Sequence, residues 1–278
     1  MKLIDFDGMF DEKLTQFMEE NKNKYTERQW EDLIARLYKK FGDTYVAKVK
    51  CTPKEYYAKM SSVELMQTLC AHLQEDVPVP EFLCVEIENR GAVETLLPLL
   101  SQKDTVAITY AVNLIGEDKR AFERYFALLL DEETDSEVQS DLVDIFKRHA
   151  DEVKEKALQA YQEGKGKESM LEILSRVKQR EERVYEVLLR AFLSGEETPM
   201  HASYLAAYGD ERALPHLMKK IEDKGIGFVE FQELKYAIEA LGGEYDEPRD
   251  FSNDKDYLAV EEATSKLASK EKEKELKS

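Results

Sequence analysis

The sequence predicts an all-α protein built from repeated helix pairs, on three observations. Apolar residues recur at spacings of three and four almost throughout, rather than at two. Only 12 glycines and 7 prolines interrupt the 278 residues. One buried-face pattern also returns along the chain, anchored at Ile115, Phe146, Val177, Leu205 and Leu241, at separations of 31, 31, 28 and 36 residues. Four before each anchor lie Ala111, Leu142, Ile173, His201 and Ala237; three before lie Val112, Val143, Leu174, Ala202 and Ile238. Positions 0, −3 and −4 form one face of a helix, and fourteen of these fifteen are apolar, His201 being the exception.

The elements follow in order. In "TERQWEDLIARLYKKFG" the residues Trp30, Leu33, Ile34, Leu37, Tyr38 and Phe41 make one apolar stripe, Thr26 with Gln29 a capping box, and Gly42 the stop. The strand-like alternation of 44–50 reads as a connector. Further starts are predicted at Ser61 with Glu64, at Asp104 and at Thr134 with Glu137. Thr52-Pro53 and Thr198-Pro199 pair a cap with proline at the first helical position. Partner helices for the anchored ones are predicted in "VETLLPLLS", "AFERYFALLLD", "EVKEKALQAYQ", "ERVYEVLLRAFL" and "RALPHLMKKIED". A pair of about thirty residues cannot bury both its apolar faces alone, so each must stack on its neighbours.

The segment "YGDERALPHLMKKI" resembles the opening of a HEAT-like repeat, "IGEDKRAFERYFALL" echoes it, and "LKYAIEALGGE" is similar to the end of such a repeat's second helix. The resemblance covers about residues 61–243 and implies a right-handed α-solenoid of stacked antiparallel helix pairs, its second helices lining a concave surface. HEAT-like proteins are mostly scaffolds and adaptors, and these motif residues serve packing, so no catalytic residue carries over. Residues 1–60 then form a helical N-terminal cap and 244–278 a charged C-terminal tail, the last fifteen or so too polar to bury anything.

Charge narrows the partner. With 58 acids against 40 lysines and arginines the net charge is −18, which repels nucleic-acid phosphates and anionic membranes and favours a basic or amphipathic protein or peptide. No apolar run approaches the ~20 residues a membrane span needs. Three widely spaced cysteines, Cys51, Cys70 and Cys84, and acids where a signal peptide needs an apolar run, lead to the expectation of a cytoplasmic protein with reduced thiols.

Candidate chemistry is sparse, and neither a cofactor nor a metal is expected. "EDKGIGFVEFQE" has the glycine and final glutamate of a calcium loop, yet Lys224 and Ile226 fall at ligand positions, so it reads as an inter-helix turn; a calcium-responsive adaptor is the weaker alternative. "GKGKES" lacks the preceding glycine and strand of a phosphate loop. Cys70 and His72 are two apart and point to different helical sides. His201 is expected to be a hydrogen-bonded seam residue. An enzyme on the same scaffold, such as a HEAT-like nucleic-acid glycosylase, needs a basic aromatic channel and is disfavoured by the acidity.

One surface pattern remains. Offsets −5 and −2 from the anchors point away from the core face and place Tyr110, Asn113, Asp141, Asp144, Glu172, Ser175, Met200, Ser203, Tyr236 and Glu239 on one stripe. On the concave side these form an acidic centre flanked by tyrosines, a surface suited to capturing a partner segment.

Overall fold

The computed structural model describes residues 3–22, 24–75 and 77–275, and their side chains save those of 265 and 267–275. Among the described residues the regular structure consists of sixteen α-helices and three short 3₁₀ segments, with no strand. Residues 44–50 form turns closed by a single bridge between Val46 and Cys51. The chain divides into two compact units, Met1–Leu142 and Val143–Ser278. The last fifteen residues, expected to bury nothing, fall largely outside the described side chains.

The first unit contains α1 (Phe6–Glu20), α2 (Glu27–Phe41), α3 (Pro53–Ala58), α4 (Ser62–Gln74), α5 (Glu81–Arg90), α6 (Val93–Leu96), α7 (Thr105–Ile115) and α8 (Phe122–Leu129). The division falls within α9 (Ser136–Arg148). The second unit continues with α10 (Ala150–Gln162), α11 (Lys167–Leu174), α12 (Glu182–Ser194), α13 (Thr198–Tyr208), α14 (Leu214–Ile221), α15 (Phe228–Ala240) and α16 (Lys255–Glu275).

Helix starts obey local chemistry. Thr26, Thr52 and Ser61 each form a full capping box, and Asp104 accepts from the amides of Val106 and Ala107. Two predicted starts are displaced by one residue. At α9 the cap is Asp135, whose Oδ1 accepts from the amide of Glu137, rather than Thr134. At α13 the cap position is Glu197, held at φ 42°, and Thr198 is already the first helical residue. Pro98 changes the "VETLLPLLS" helix: lacking an amide hydrogen, it limits α6 to four residues, and Leu97–Ser101 continues as a 3₁₀ turn. Gly42 does stop α2, but with right-handed φ; a Cβ there would lie 2.5 Å from the Phe82 ring.

All fifteen anchor-pattern positions are buried, His201 among them. In the second unit α10 packs on α11, α12 on α13 and α14 on α15, while α11, α13 and α15 contact one another in succession. In the first unit α7 packs on α6 and its 3₁₀ continuation, and α5 against α3, α4 and α7. "GKGKES" spans the turn between α10 and α11, with Gly164 and Gly166 in left-handed conformation, and "EDKGIGFVEFQE" the turn between α14 and α15.

The repeated acid-x-Arg letters have a physical role. Arg120, Arg183 and Arg212 each bind the acid two residues earlier, Asp118, Glu181 and Asp210. Each also reaches a glutamate one helix pair back: Glu94 at 3.7 Å, Glu155 at 2.8 Å and Glu182 at 2.8 Å. The arginines thereby tie the 3₁₀ turn opening α8 to α6, α12 to α10, and the 3₁₀ turn opening α14 to α12. Tyr208 adds a two-way bond, its hydroxyl accepting from the Glu181 amide at 2.7 Å and donating to the Glu181 carbonyl at 3.1 Å.

Beyond α15 the chain folds back onto its own unit. Arg249 donates to the carbonyls of Ile221 and Asp223 at the end of α14 and stacks 4.9 Å above Phe231. Phe251 packs between Phe228 and Phe231, and Tyr257 against Phe228. Asp254 caps two helices at once: Oδ2 accepts from the Phe228 amide opening α15, Oδ1 from the Asp256 and Tyr257 amides opening α16. This approach explains Gly227, where a Cβ would lie 3.1 Å from Asp254 Oδ2.

Candidate functional site

A cleft of ≈ 1190 Å³ lies in the first unit. One face from each of three helices walls it. From α2 come Glu31, Ile34, Ala35, Tyr38 and Lys39; from α5, Glu81, Phe82, Val85, Glu86 and Asn89; from α3, Lys54, Glu55 and Ala58. Those spacings are the i, i+4 and i+8 rows of a helix. Phe10 of α1 completes the floor.

The floor is aromatic and fixed. Tyr38 and Phe82 stack with centroids 4.7 Å apart and planes at 7°, and Phe10 meets Tyr38 edge-on at 5.0 Å. Such contacts contribute about 0.5–1.5 kcal/mol each beyond area burial. The Tyr38 hydroxyl donates to Asp7 Oδ1 at 2.6 Å and accepts from the Glu81 amide at 3.3 Å, joining α2 to α1 and α5. Burial pushes the Asp7 carboxyl up, the Tyr38 hydrogen bond opposing it; burial followed by the bond to Asp7 pushes the Tyr38 phenol up. The phenol is therefore neutral at neutral pH and is the donor to Asp7. Both roles of this hydroxyl are taken, so the floor offers an occupant mainly carbon.

The rim is acidic. Four glutamates line the cleft against two lysines, and Lys54 is already paired with Asp43 at 2.8 Å. Glu86 is paired with Arg90. The lining contains no histidine, cysteine or serine, hence no imidazole, thiol or serine nucleophile. Cys84, nearby on α5, is pushed up to about 11 by burial and then by Glu88, so it is a protonated thiol at neutral pH. The three cysteines are free, and among the described residues no cluster of three or more potential metal ligands occurs.

Sequence reading missed this cleft. The α2 stripe reads as core, yet only Phe41 is buried; Trp30, Leu33, Ile34, Leu37 and Tyr38 remain half-buried. The available signal was Glu31-Ile34-Ala35-Tyr38-Lys39, a second face that shares Ile34 and Tyr38 with the stripe.

The predicted stripe is dispersed across both units. Tyr110, Asn113 and Asp141 belong to the first; Asp144, Glu172, Met200, Ser203, Tyr236 and Glu239 to the second. Tyr236 is 63% exposed, while Tyr110 is half-buried. Asp144 and Glu172 are brought together by Lys147, at 2.8 and 2.7 Å, so part of the expected acidic centre is neutralised. Ser203 donates to the Met200 carbonyl, and Lys235 lies 3.8 Å from Glu239. Ser175, expected to point away from the core, is buried, its hydroxyl donating to the Glu172 carbonyl.

His201 is held on both sides. Nδ1 lies 3.1 Å from the Ala191 carbonyl of α12 and Nε2 3.1 Å from the Glu168 carboxylate of α11. It is a seam residue, with both nitrogens engaged in structure. Comparisons with family models, with curated proteins and with solved structures return no match to this chain.

Proposed function

We propose that this protein is a non-enzymatic scaffold or adaptor that holds a basic or amphipathic protein segment. The observation that carries the reading is the cleft between α2, α3 and α5, with its fixed aromatic floor and acidic rim. At ≈ 1190 Å³ it exceeds the ~300–1,000 Å³ of ordinary small-molecule sites, and its lining lacks a nucleophile–base pair. The net charge of −18 favours the same class of partner. In this reading the stacked pairs form a HEAT-like right-handed solenoid in the cytoplasm, and the frame presents the cleft. A second surface, the part of the stripe around Tyr236 in the second unit, is favoured by the exposure of that tyrosine.

The test is affinity capture from native lysate with wild type, Val85→Arg and the double variant Tyr110→Ala/Tyr236→Ala. Val85 is 41% exposed, so arginine there leaves folding intact. Loss of a captured protein with Val85→Arg, at unchanged Tm, supports the cleft. Loss only with the tyrosine variant moves the site to the stripe, and capture unaffected by either overturns both placements.

A further inference from the structure

We infer that the occupant of the cleft is a single amphipathic α-helix, apolar on the face that enters and flanked by lysine or arginine. This rests on the reading of the cleft as a partner site and adds the partner's conformation and charge. Three features of the cleft point to a helix.

The first is its shape. The α2 wall runs from Glu31 to Lys39 and the α5 wall from Glu81 to Asn89, each about 12 Å long at helical rise. A cylinder of about 10 Å diameter filling ≈ 1190 Å³ is about 15 Å long, or about ten helical residues. The length so obtained is close to that of the α2 and α5 walls, as one short helix lying among the three present requires. Ala35 and Ala58 leave room for close approach, as small residues do where helices meet.

The second is the backbone chemistry the cleft provides. An extended segment binds most readily by adding to a sheet edge, and among the described residues there is no strand. A polyproline segment docks on aromatic faces, whereas Tyr38 and Phe82 turn a face toward each other. The Tyr38 hydroxyl is committed to Asp7 and Glu81. A helix satisfies its own amides and carbonyls, and so suits a floor that leaves them little to bind.

The third is charge placement. Glu31, Glu55 and Glu81 lie one on each wall and are exposed, while Phe10 and Phe82 are buried and Ile34 and Tyr38 half-buried. Basic residues flanking an apolar helical stripe would meet these acids as the stripe meets the floor. Rim charges of this kind mainly set the association rate and its salt dependence.

The experiment is selection of a displayed library of random 16-residue peptides on the full chain, with each binder re-measured on Val85→Arg. The expected result is a set of binders weakened at least tenfold by Val85→Arg, with apolar residues at i, i+3 or i+4 and i+7 and a net positive charge. Circular dichroism of the selected peptides with the protein should show helix gained on binding. Binders sensitive to Val85→Arg but net acidic, or extended when bound, overturn the helical basic occupant and leave the cleft as a partner site. A selection without any binder sensitive to Val85→Arg overturns the cleft as a partner site, and with it this inference.

Discussion

At the scale of single residues, burial and hydrogen bonding decide what a polar group contributes. Tyr57 is fully buried, its ring edge-on to Phe6, and its hydroxyl has no partner among the described residues. Burial accordingly pushes the phenol well up. An unsatisfied buried hydroxyl carries a desolvation penalty of about 1–3 kcal/mol, so Tyr57→Phe should be neutral or stabilising, by about 1 kcal/mol in urea unfolding. A loss of stability would mean that this hydroxyl has a partner. Asp118 is the opposite case. Its carboxylate accepts from the Arg120 side chain and amide, which hold it down at about 2. Such a carboxylate contributes fully above its ordinary value of 3.8, and the contribution is lost as pH falls toward about 2. Asp118→Asn should therefore flatten the fall of stability between about pH 4 and pH 2 by up to one linked proton, read from urea midpoints across that range.

At the scale of elements, helix ends matter more than helix interiors. Asp254 serves the amides that open α15 and α16, and those hydrogen bonds lower its carboxyl. Asp254→Ala should raise hydrogen exchange at Phe228, Asp256 and Tyr257 together while leaving the Thr26 and Ser61 capping boxes protected. Exchange that rises at only one of the two helices would show separate capping. The α16 half of this double cap is local, but its reach to Phe228 was not legible in the sequence, because that partner is 26 residues away and nothing local marks it. Local signals were legible: the boxes at Thr26 and Ser61, the cap at Thr52 and the buried faces of the anchored helices all form as their residues dictate. The misplaced starts have a specific cause. Asp135 competes with Thr134 for the same turn, and Glu197 takes the left-handed residue that a threonine cap at 198 would not require. The cleft escaped for a different reason, since a stripe shows which face is apolar and leaves open whether another helix covers it.

For the whole molecule, charge and the succession of helix pairs set behaviour. A net −18 stores self-repulsion that added salt screens, the Debye length falling from about 14 Å at 0.05 M to about 4 Å at 0.5 M. Raising salt over that range should increase Tm while weakening capture of a basic peptide, an opposition that thermal melts and anisotropy titrations would reveal in parallel. Binding that strengthens with salt would indicate an apolar occupant without the basic flank. The arginines at 120, 183 and 212 have a broader consequence. Each joins the start of a helix, or the 3₁₀ turn before it, to the glutamate of the preceding first helix. The chain therefore carries a reusable joint, with an acid-x-Arg plug on one pair and a glutamate socket on the one before. Duplicating the stretch 182–211 would present Arg212 with the same Glu182 socket, 30 residues back, that it has now.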